Sequence, residues 1–146
     1  MSKSVGEYTL TTRLGSGSFA TVYLGKHTLT NVSMAIKVIS RERLNKKLTE
    51  NLESEISIMR NFKHPNIVEL SDIKKSDRNI YLVLEYCEAG DLHKYIRSQT
   101  KLSEKTSRIF MSHLSGGMKF LWERNLIHRD LKPQNLLLSK PKGEAF

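Results

Sequence analysis

At 146 residues, 38 % hydrophobic and 27 % charged, the chain has the length of one ordinary domain or part of a larger one, with enough apolar content to exclude wholesale disorder. No apolar run approaches bilayer-spanning length, and the N-terminal MSKSVGEYTL has no apolar signal core; the single cysteine, Cys87, excludes a disulfide framework or Cys-built zinc site and points to a reducing, cytoplasmic setting. The net charge of +9 is spread, with 13 basic against 9 acidic residues in 1–87 and 11 against 6 in 88–146, which reads as a solvated surface unless the fold gathers it.

Strand signals come first. Tyr8, Leu10, Thr12 and Leu14 alternate through YTLTTRL and predict a half-buried strand. Thr21–Leu24 and Met34–Ile39 predict two more, with the turn-prone Thr30-Asn31 between them. Leu48, Leu52, Ile56 and Met59 then recur at helical spacing, and the helix is expected to close at His64-Pro65-Asn66. Apolar segments over 67–73 and 79–86 flank the polar KKSDRN.

Helices dominate the remainder. A short one is expected over 91–96. Ser103 reads as the N-cap of a long one marked by Ile109, Phe110, Leu114, Met118 and Leu121. Gly116-Gly117 lies inside that helix, where each glycine costs about 1 kcal/mol relative to alanine, so a close neighbour is needed to justify the pair. Trp122 reads as core or as an interface to further helices. Strands with one helix, then helices, predict an α+β arrangement with a hinge near 86–91.

Three segments carry chemistry. Leu14-Gly15-Ser16-Gly17-Ser18-Phe19-Ala20-Thr21-Val22 is a glycine-rich turn between strands; that context argues against a dinucleotide fold. Glycines there let backbone N–H groups approach phosphate oxygens, although any hairpin can carry two glycines, and Ala20 occupies the third position. Lys37 sits in the apolar strand MAIK. It reads either as a surface lysine on an edge strand or as a cation fixed by Glu55 of the following helix. The most specific segment is His128-Arg129-Asp130-Leu131-Lys132-Pro133-Gln134-Asn135-Leu136-Leu137-Leu138. In it Asp130 can orient a hydroxyl or accept its proton, Lys132 can neutralise a phosphoryl group, and Asn135 offers an oxygen suited to magnesium.

In this order the glycine-rich loop, MAIK, the helix glutamate and HRDLKPQN resemble the eukaryotic protein kinase family, from Tyr8 to Leu138. The resemblance implies a five-stranded antiparallel sheet with one helix as a complete N-lobe over 8–87. Residues 88–146 would then be the first part of a helical C-lobe. It also implies ATP and Mg2+ as cofactors and protein Ser/Thr hydroxyls as acceptors. By that likeness Leu14, Gly15 and Gly17 cover the nucleotide and its phosphates, Val22, Ala35 and Leu137 sandwich the adenine, and Lys37 paired with Glu55 holds the α- and β-phosphates. Leu84 falls at the gatekeeper position, Glu85, Tyr86 and Cys87 match the hinge, and Asp91 the ribose site. Asp130 is the catalytic carboxylate, with Lys132 and Asn135, the last a metal ligand, as its partners.

Lys132, two places after Asp130, follows the serine/threonine pattern. GSGSFATVYLGKH, EYCEAGDL and HRDLKPQNLLL look most like the autophagy-initiating kinases, implying recruitment to autophagosome-forming membranes and regulatory protein partners. Met59, Leu70 and His128 match packed residues that connect the lobes. No DFG aspartate or activation loop occurs in the 146 residues, so a truncated product is expected. The competing reading is a catalytically inactive ATP-binding or partner-binding fragment. No nucleic-acid signature accompanies the charge, so specific nucleic-acid binding is not expected.

Overall fold

The computed structural model describes residues 3–140. They form two compact units: one holds the chain up to Lys63 together with Val68–Tyr86, the other His64–Ile67 together with the chain from Cys87 onward. Positions 141–146 of the expected second domain lie outside the described residues.

The first unit is an antiparallel sheet of six strands, not five. In chain order these are β1 (Lys3–Val5), β2 (Tyr8–Ser16), β3 (Ala20–His27), β4 (Ser33–Ser40), β5 (Leu70–Lys75) and β6 (Asn79–Glu85), arranged β1-β2-β3-β4-β6-β5. The unforeseen strand, β1, is three residues long. It folds back on β2 through Gly6, whose φ of +54° suits glycine in a tight turn.

Alternation holds at the start of β2, where Tyr8 and Leu10 are buried, and fails at Thr12 and Leu14, which are exposed. Irregularities between Leu10 and Arg13 and between Arg13 and Gly15 shift the register, and each slip turns following side chains to the other face. Asn31, φ +59°, supplies the left-handed residue of the β3–β4 turn, a conformation asparagine tolerates better than most.

One face of the sheet packs Val5, Tyr8, Leu10, Ile36, Tyr81 and Val83 together. The other packs Ile39, Leu70, Ile80 and Leu82 against Ile56, Leu52 and Met59 of helix α1 (Lys46–Met59). Met59 and Leu70, two of the expected lobe-connecting residues, thus share a cluster. Asn45 caps α1 by accepting from the Leu48 N–H at 2.8 Å. The helix ends at Met59, well before Pro65, so proline is not its terminator.

The sheet curls until its two edges meet. Lys74 of β5 lies 2.9 Å from Glu7, in the β1–β2 turn, and 3.1 Å from Asp72. Hydrogen bonds to these two carboxylates, Glu7 first, raise the Lys74 pKa, and Lys74 in turn lowers that of Glu7. Burial, then the charge of Asp72, raises that of Tyr8, whose hydroxyl lies 3.5 Å from that carboxylate.

The second unit contains α2 (Leu92–Gln99) and α3 (Glu104–Trp122). Asp91 precedes α2 as its cap rather than belonging to it, and the helix runs three residues past the expected end at Ile96. Ser103 caps α3 through the Thr106 N–H at 3.1 Å. Tyr95 of α2 meets Phe110 of α3 edge-on at 5.7 Å. The glycine pair has its neighbour: a Cβ on Gly117 would stand 3.1 Å from the Asn66 carbonyl, and one on Gly116 3.1 Å from the Asn66 side chain. The His64 ring lies 5.0 Å from Phe120 beside them. Because the loop over 64–67 packs here, the apolar segment expected from Ile67 becomes strand only at Leu70. Trp122 is 77 % exposed and so is not core.

Candidate functional site

In the first unit, strand register decides which side chains share a face, because cross-strand partners point the same way. Lys37 stands between Val22 and Leu82, and Ala35 between Leu24 and Leu84. Val22, Ala35 and Lys37 are therefore on one face, the face that α1 covers further along at Ile39 and Ile80. Lys37 is half-buried there, which excludes the plain surface-lysine reading; β4 is moreover an inner strand.

Glu55 is brought less close than expected. It is exposed on α1, and the ion pairs among the described residues involve neither Glu55 nor Lys37. Successive helical residues point about 100° apart, so Ile56, turned into the core, leaves Glu55 facing solvent.

Gly15 pairs with Val22 across the hairpin, and Gly17 donates to the Ala20 carbonyl at 2.8 Å, closing a tight loop tip. A Cβ on either glycine would meet nothing within 4 Å, and neither has positive φ. Neither packing nor backbone geometry explains these two glycines. What their missing side chains leave open is the approach of an outside group to the backbone, which suits phosphate. Leu14, 41 % exposed, flanks this loop. Glu85, at the end of β6, accepts from the Glu69 N–H through its carboxylate at 3.3 Å.

The second unit draws three predicted residues into one cluster. The Asn135 side-chain N–H2 donates to the Asp130 carbonyl at 2.8 Å and to its carboxylate Oδ2 at 2.9 Å, while Lys132 Nζ lies 3.4 Å from Oδ1. His128 Nδ1 accepts the Asp130 N–H at 3.2 Å, which ties the ring to the backbone of the loop. Pro133–Asn135 form a 3-10 turn in which the Asn135 N–H donates to the Lys132 carbonyl, and that turn carries the asparagine back onto Asp130. Arg129 holds φ at +69°, a left-handed conformation that costs a non-glycine residue roughly 1–2 kcal/mol and is imposed immediately before the carboxylate.

All three side chains are exposed, so they face what solvent carries. With its N–H2 committed, Asn135 leaves its carbonyl oxygen unengaged, an oxygen donor of the type hard cations take. Among the described residues no group of three or more His, Cys, Asp or Glu could hold a metal.

Asp91 has other work. Its Oδ1 accepts the Lys94 N–H at 2.9 Å, and Oδ2 lies 3.6 Å from Lys94 Nζ; the backbone bond, more than the charge, holds its carboxyl below the usual range. One pairing escaped the sequence reading. Leu136–Leu138 lie against residues 89–92, through Leu92 N–H to the Leu136 carbonyl (2.8 Å), Leu138 N–H to the Gly90 carbonyl (2.8 Å) and Ala89 N–H to the Leu138 carbonyl (3.0 Å). Cys87 and Leu137 thus belong to one unit, with Leu137 bridged to Asp91. The available signal was Gly90, whose φ of +75° makes the turn that presents this edge.

A curled antiparallel sheet with one helix, a glycine-rich hairpin above an inward lysine, and an Asp-Lys-Asn loop together define a protein kinase domain. The family model for the protein kinase domain matches residues 8–145, and the chain belongs to that family. It is 48 % identical over 97 % of its length to the serine/threonine-protein kinase ATG1c of Arabidopsis thaliana, covering 19 % of that protein. To atg1 of Schizosaccharomyces pombe it is 43 % identical over 99 % of its length, covering 20 %. To ULK3 of Rattus norvegicus it is 47 % identical over 90 %, covering 28 %. The chain therefore spans from about a fifth to under a third of the length of these relatives, all of them named serine/threonine-protein kinases. As a protein kinase domain it is of a kind that uses ATP with a divalent metal. Among the described residues no helix is long and apolar enough to cross a membrane.

Proposed function

We propose that this chain is the nucleotide-binding and catalytic-loop part of a serine/threonine protein kinase that transfers the γ-phosphate of ATP to protein hydroxyls. The observation that carries the reading is the Asp130-Lys132-Asn135 cluster, formed within one loop from residues of three different chemistries. Gly15 and Gly17 would admit the phosphates to the backbone, and Lys37 would neutralise them. Val22, Ala35 and Leu137 would line the base, with Leu14, Glu85 and Cys87 completing the nucleotide contacts. Asp130 would orient the Ser or Thr hydroxyl and take its proton as the oxygen attacks phosphorus and the bond to ADP breaks. Lys132 would offset charge on the phosphoryl oxygens, and Asn135 would hold Mg2+ through its free carbonyl oxygen. The bound cation would supply charge neutralisation to the phosphates. The ATG1 names among its relatives support a role in autophagy; that it acts in the cytoplasm and at autophagosome-forming membranes is proposed from the resemblance of its motifs alone. The test is phosphotransfer to a serine peptide by the intact protein, abolished by Asp130→Asn, together with ATP binding abolished by Lys37→Met. Full activity in both variants overturns the reading.

A second reading has its own support. Without a Lys37–Glu55 pair the lysine is not fixed, and Asp91 is occupied as a helix cap rather than open to a ribose. The chain by itself then acts as a non-catalytic ATP- or partner-binding module. Turnover by the 146 residues alone, lost on Lys37→Met, removes that reading.

A further inference from the structure

The sheet face opposite Lys37 carries a recess of about 250 Å³ that the kinase reading does not use. By register Thr21, Tyr23, Val38, Ser40 and Asn79 point to this side: Thr21 opposes Val38 and Ser40 opposes Asn79, each one position out of phase with Val22 and Lys37. Lys3 of β1 and Arg43, from the turn after β4, complete its walls, with Glu42 the one acid among its lining residues.

Its polar groups are under-used. Arg43 spends one of its five N–H donors, on the Ser18 carbonyl at 3.1 Å. Lys3 and Arg43 enter no ion pair among the described residues, and neither do Arg41, Lys46 and Lys47 on the same stretch as Arg43. Among the described residues the hydroxyls of Thr21 and Ser40 make no hydrogen bond, and the Asn79 side chain uses one donor, to the Tyr81 hydroxyl at 3.2 Å. Two cations lining one recess beside hydroxyl and amide donors suit a tetrahedral oxyanion, whose charge-assisted hydrogen bonds are about twice as strong as neutral ones. Four oxygens, each comparable to a water's share of about 30 Å³, fit the volume.

We infer that this recess binds a phosphomonoester dianion, with Lys3 and Arg43 as its cations and Thr21, Ser40 and Asn79 as neutral donors. The site is continuous with the glycine-rich loop. Arg43 holds the Ser18 carbonyl and Ser40 N–H lies 3.4 Å from the Phe19 carbonyl, so an occupant braces the loop tip from behind.

The experiment titrates the full chain with inorganic phosphate, a phosphoserine peptide and the same peptide unphosphorylated, following backbone amide resonances and affinity. Expected are shifts at Thr21, Ser40, Arg43 and Asn79 and affinity weakened about tenfold by Arg43→Gln or Lys3→Gln, with Lys37→Met, on the opposite face, leaving binding unchanged. The unmodified spectrum elsewhere in each variant shows that it is folded, and Thr21→Val gives a milder second lesion. Binding by the peptide but not by free phosphate assigns the source to a phosphorylated chain; equal binding assigns it to the free ion, and both support the site. Equal affinity for the unphosphorylated peptide, no binding of either phosphate at millimolar concentration, or binding lost with Lys37→Met and kept with Arg43→Gln overturns it.

Discussion

Asn135 grips Asp130 twice with one nitrogen, at 2.8 Å on the backbone oxygen and at 2.9 Å on the carboxylate. One carboxylate oxygen is thereby tied to the asparagine and the other faces Lys132 at 3.4 Å, so the orientation of the Asp130 carboxylate is set from both sides. Asp130→Asn removes the carboxylate proposed to accept the proton, and phosphotransfer by the intact protein is expected to fall by roughly 10²–10⁴ in kcat. Asn135→Ala leaves the carboxylate in place but unaimed, and should also lower kcat while ATP affinity without metal stays within a few-fold. Steady-state kinetics with a serine peptide, paired with metal-free nucleotide binding, separates the two effects. A full-speed Asn135→Ala variant contradicts the role given to the fork.

Local chemistry explains what could be read in advance: Ser103, a short polar side chain ahead of an apolar helical stripe, caps α3 as expected, while Asn45 and Asp91, of the same chemistry, cap α1 and α2 without having been read as caps. The clustering of Asp130, Lys132 and Asn135 was legible because it depends on a spacing of two to five positions, which one turn brings together. Three features were not. Strand β1 is too short to show a period. The face of Glu55 depends on how far α1 is rotated, which neighbours in sequence do not fix. Exposure of Thr12 and Leu14 follows from register slips in β2, and a regular alternation of residues carries no sign of a bulge.

The two glycines of α3 should respond oppositely to alanine. At Gly116 the new methyl meets the side-chain oxygen of Asn66, which can swing away, so Gly116→Ala is expected to stabilise by up to about 1 kcal/mol through helix propensity. At Gly117 it meets the Asn66 backbone carbonyl at 3.1 Å and Ile67 beyond, and this backbone cannot yield without moving the packed loop. Gly117→Ala should gain nothing, and Gly117→Val should cost about 1–3 kcal/mol. Urea unfolding midpoints of the three variants decide; equal gains at both positions would refute the packing argument.

For Asp91, capping and charge can be separated. Asp91→Ala removes the acceptor for the Lys94 N–H and should cost about 0.5–2 kcal/mol, whereas Asp91→Asn keeps an equivalent cap and should be close to neutral at pH 7. Because hydrogen bonding keeps the folded carboxyl below the ordinary value, the wild type loses this contribution as pH falls through that depressed value. The asparagine variant loses nothing there. Thermal melts at pH 7 and pH 3 test the point: equal acid sensitivity in wild type and Asp91→Asn would show that the cap does not titrate as described.

The Glu7–Lys74 contact that joins the edges of the sheet should leave its own mark on stability against pH. Glu7 is depressed in the fold, so its contribution is complete above the ordinary carboxylate value and vanishes as pH falls through the lowered one. Lys74 is raised, so its contribution is complete below the ordinary lysine value and is lost only as pH climbs through the raised one. The clamp is therefore constant between about pH 4.3 and about 10.4, the two ordinary values, and weakens on the acid side first under accessible conditions. Glu7→Gln should lower the neutral plateau and flatten part of the acid decline, and Lys74→Met should do both more strongly because it also frees Asp72, 3.1 Å away. Added salt should narrow the gap to wild type, since both partners are partly exposed. Urea midpoints collected from pH 2.5 to 7 at low and high salt make the measurement, and a Glu7→Gln curve running parallel to wild type through the acid range would mean that the edges are held by the buried Val5, Tyr8 and Leu10 rather than by the ion pair.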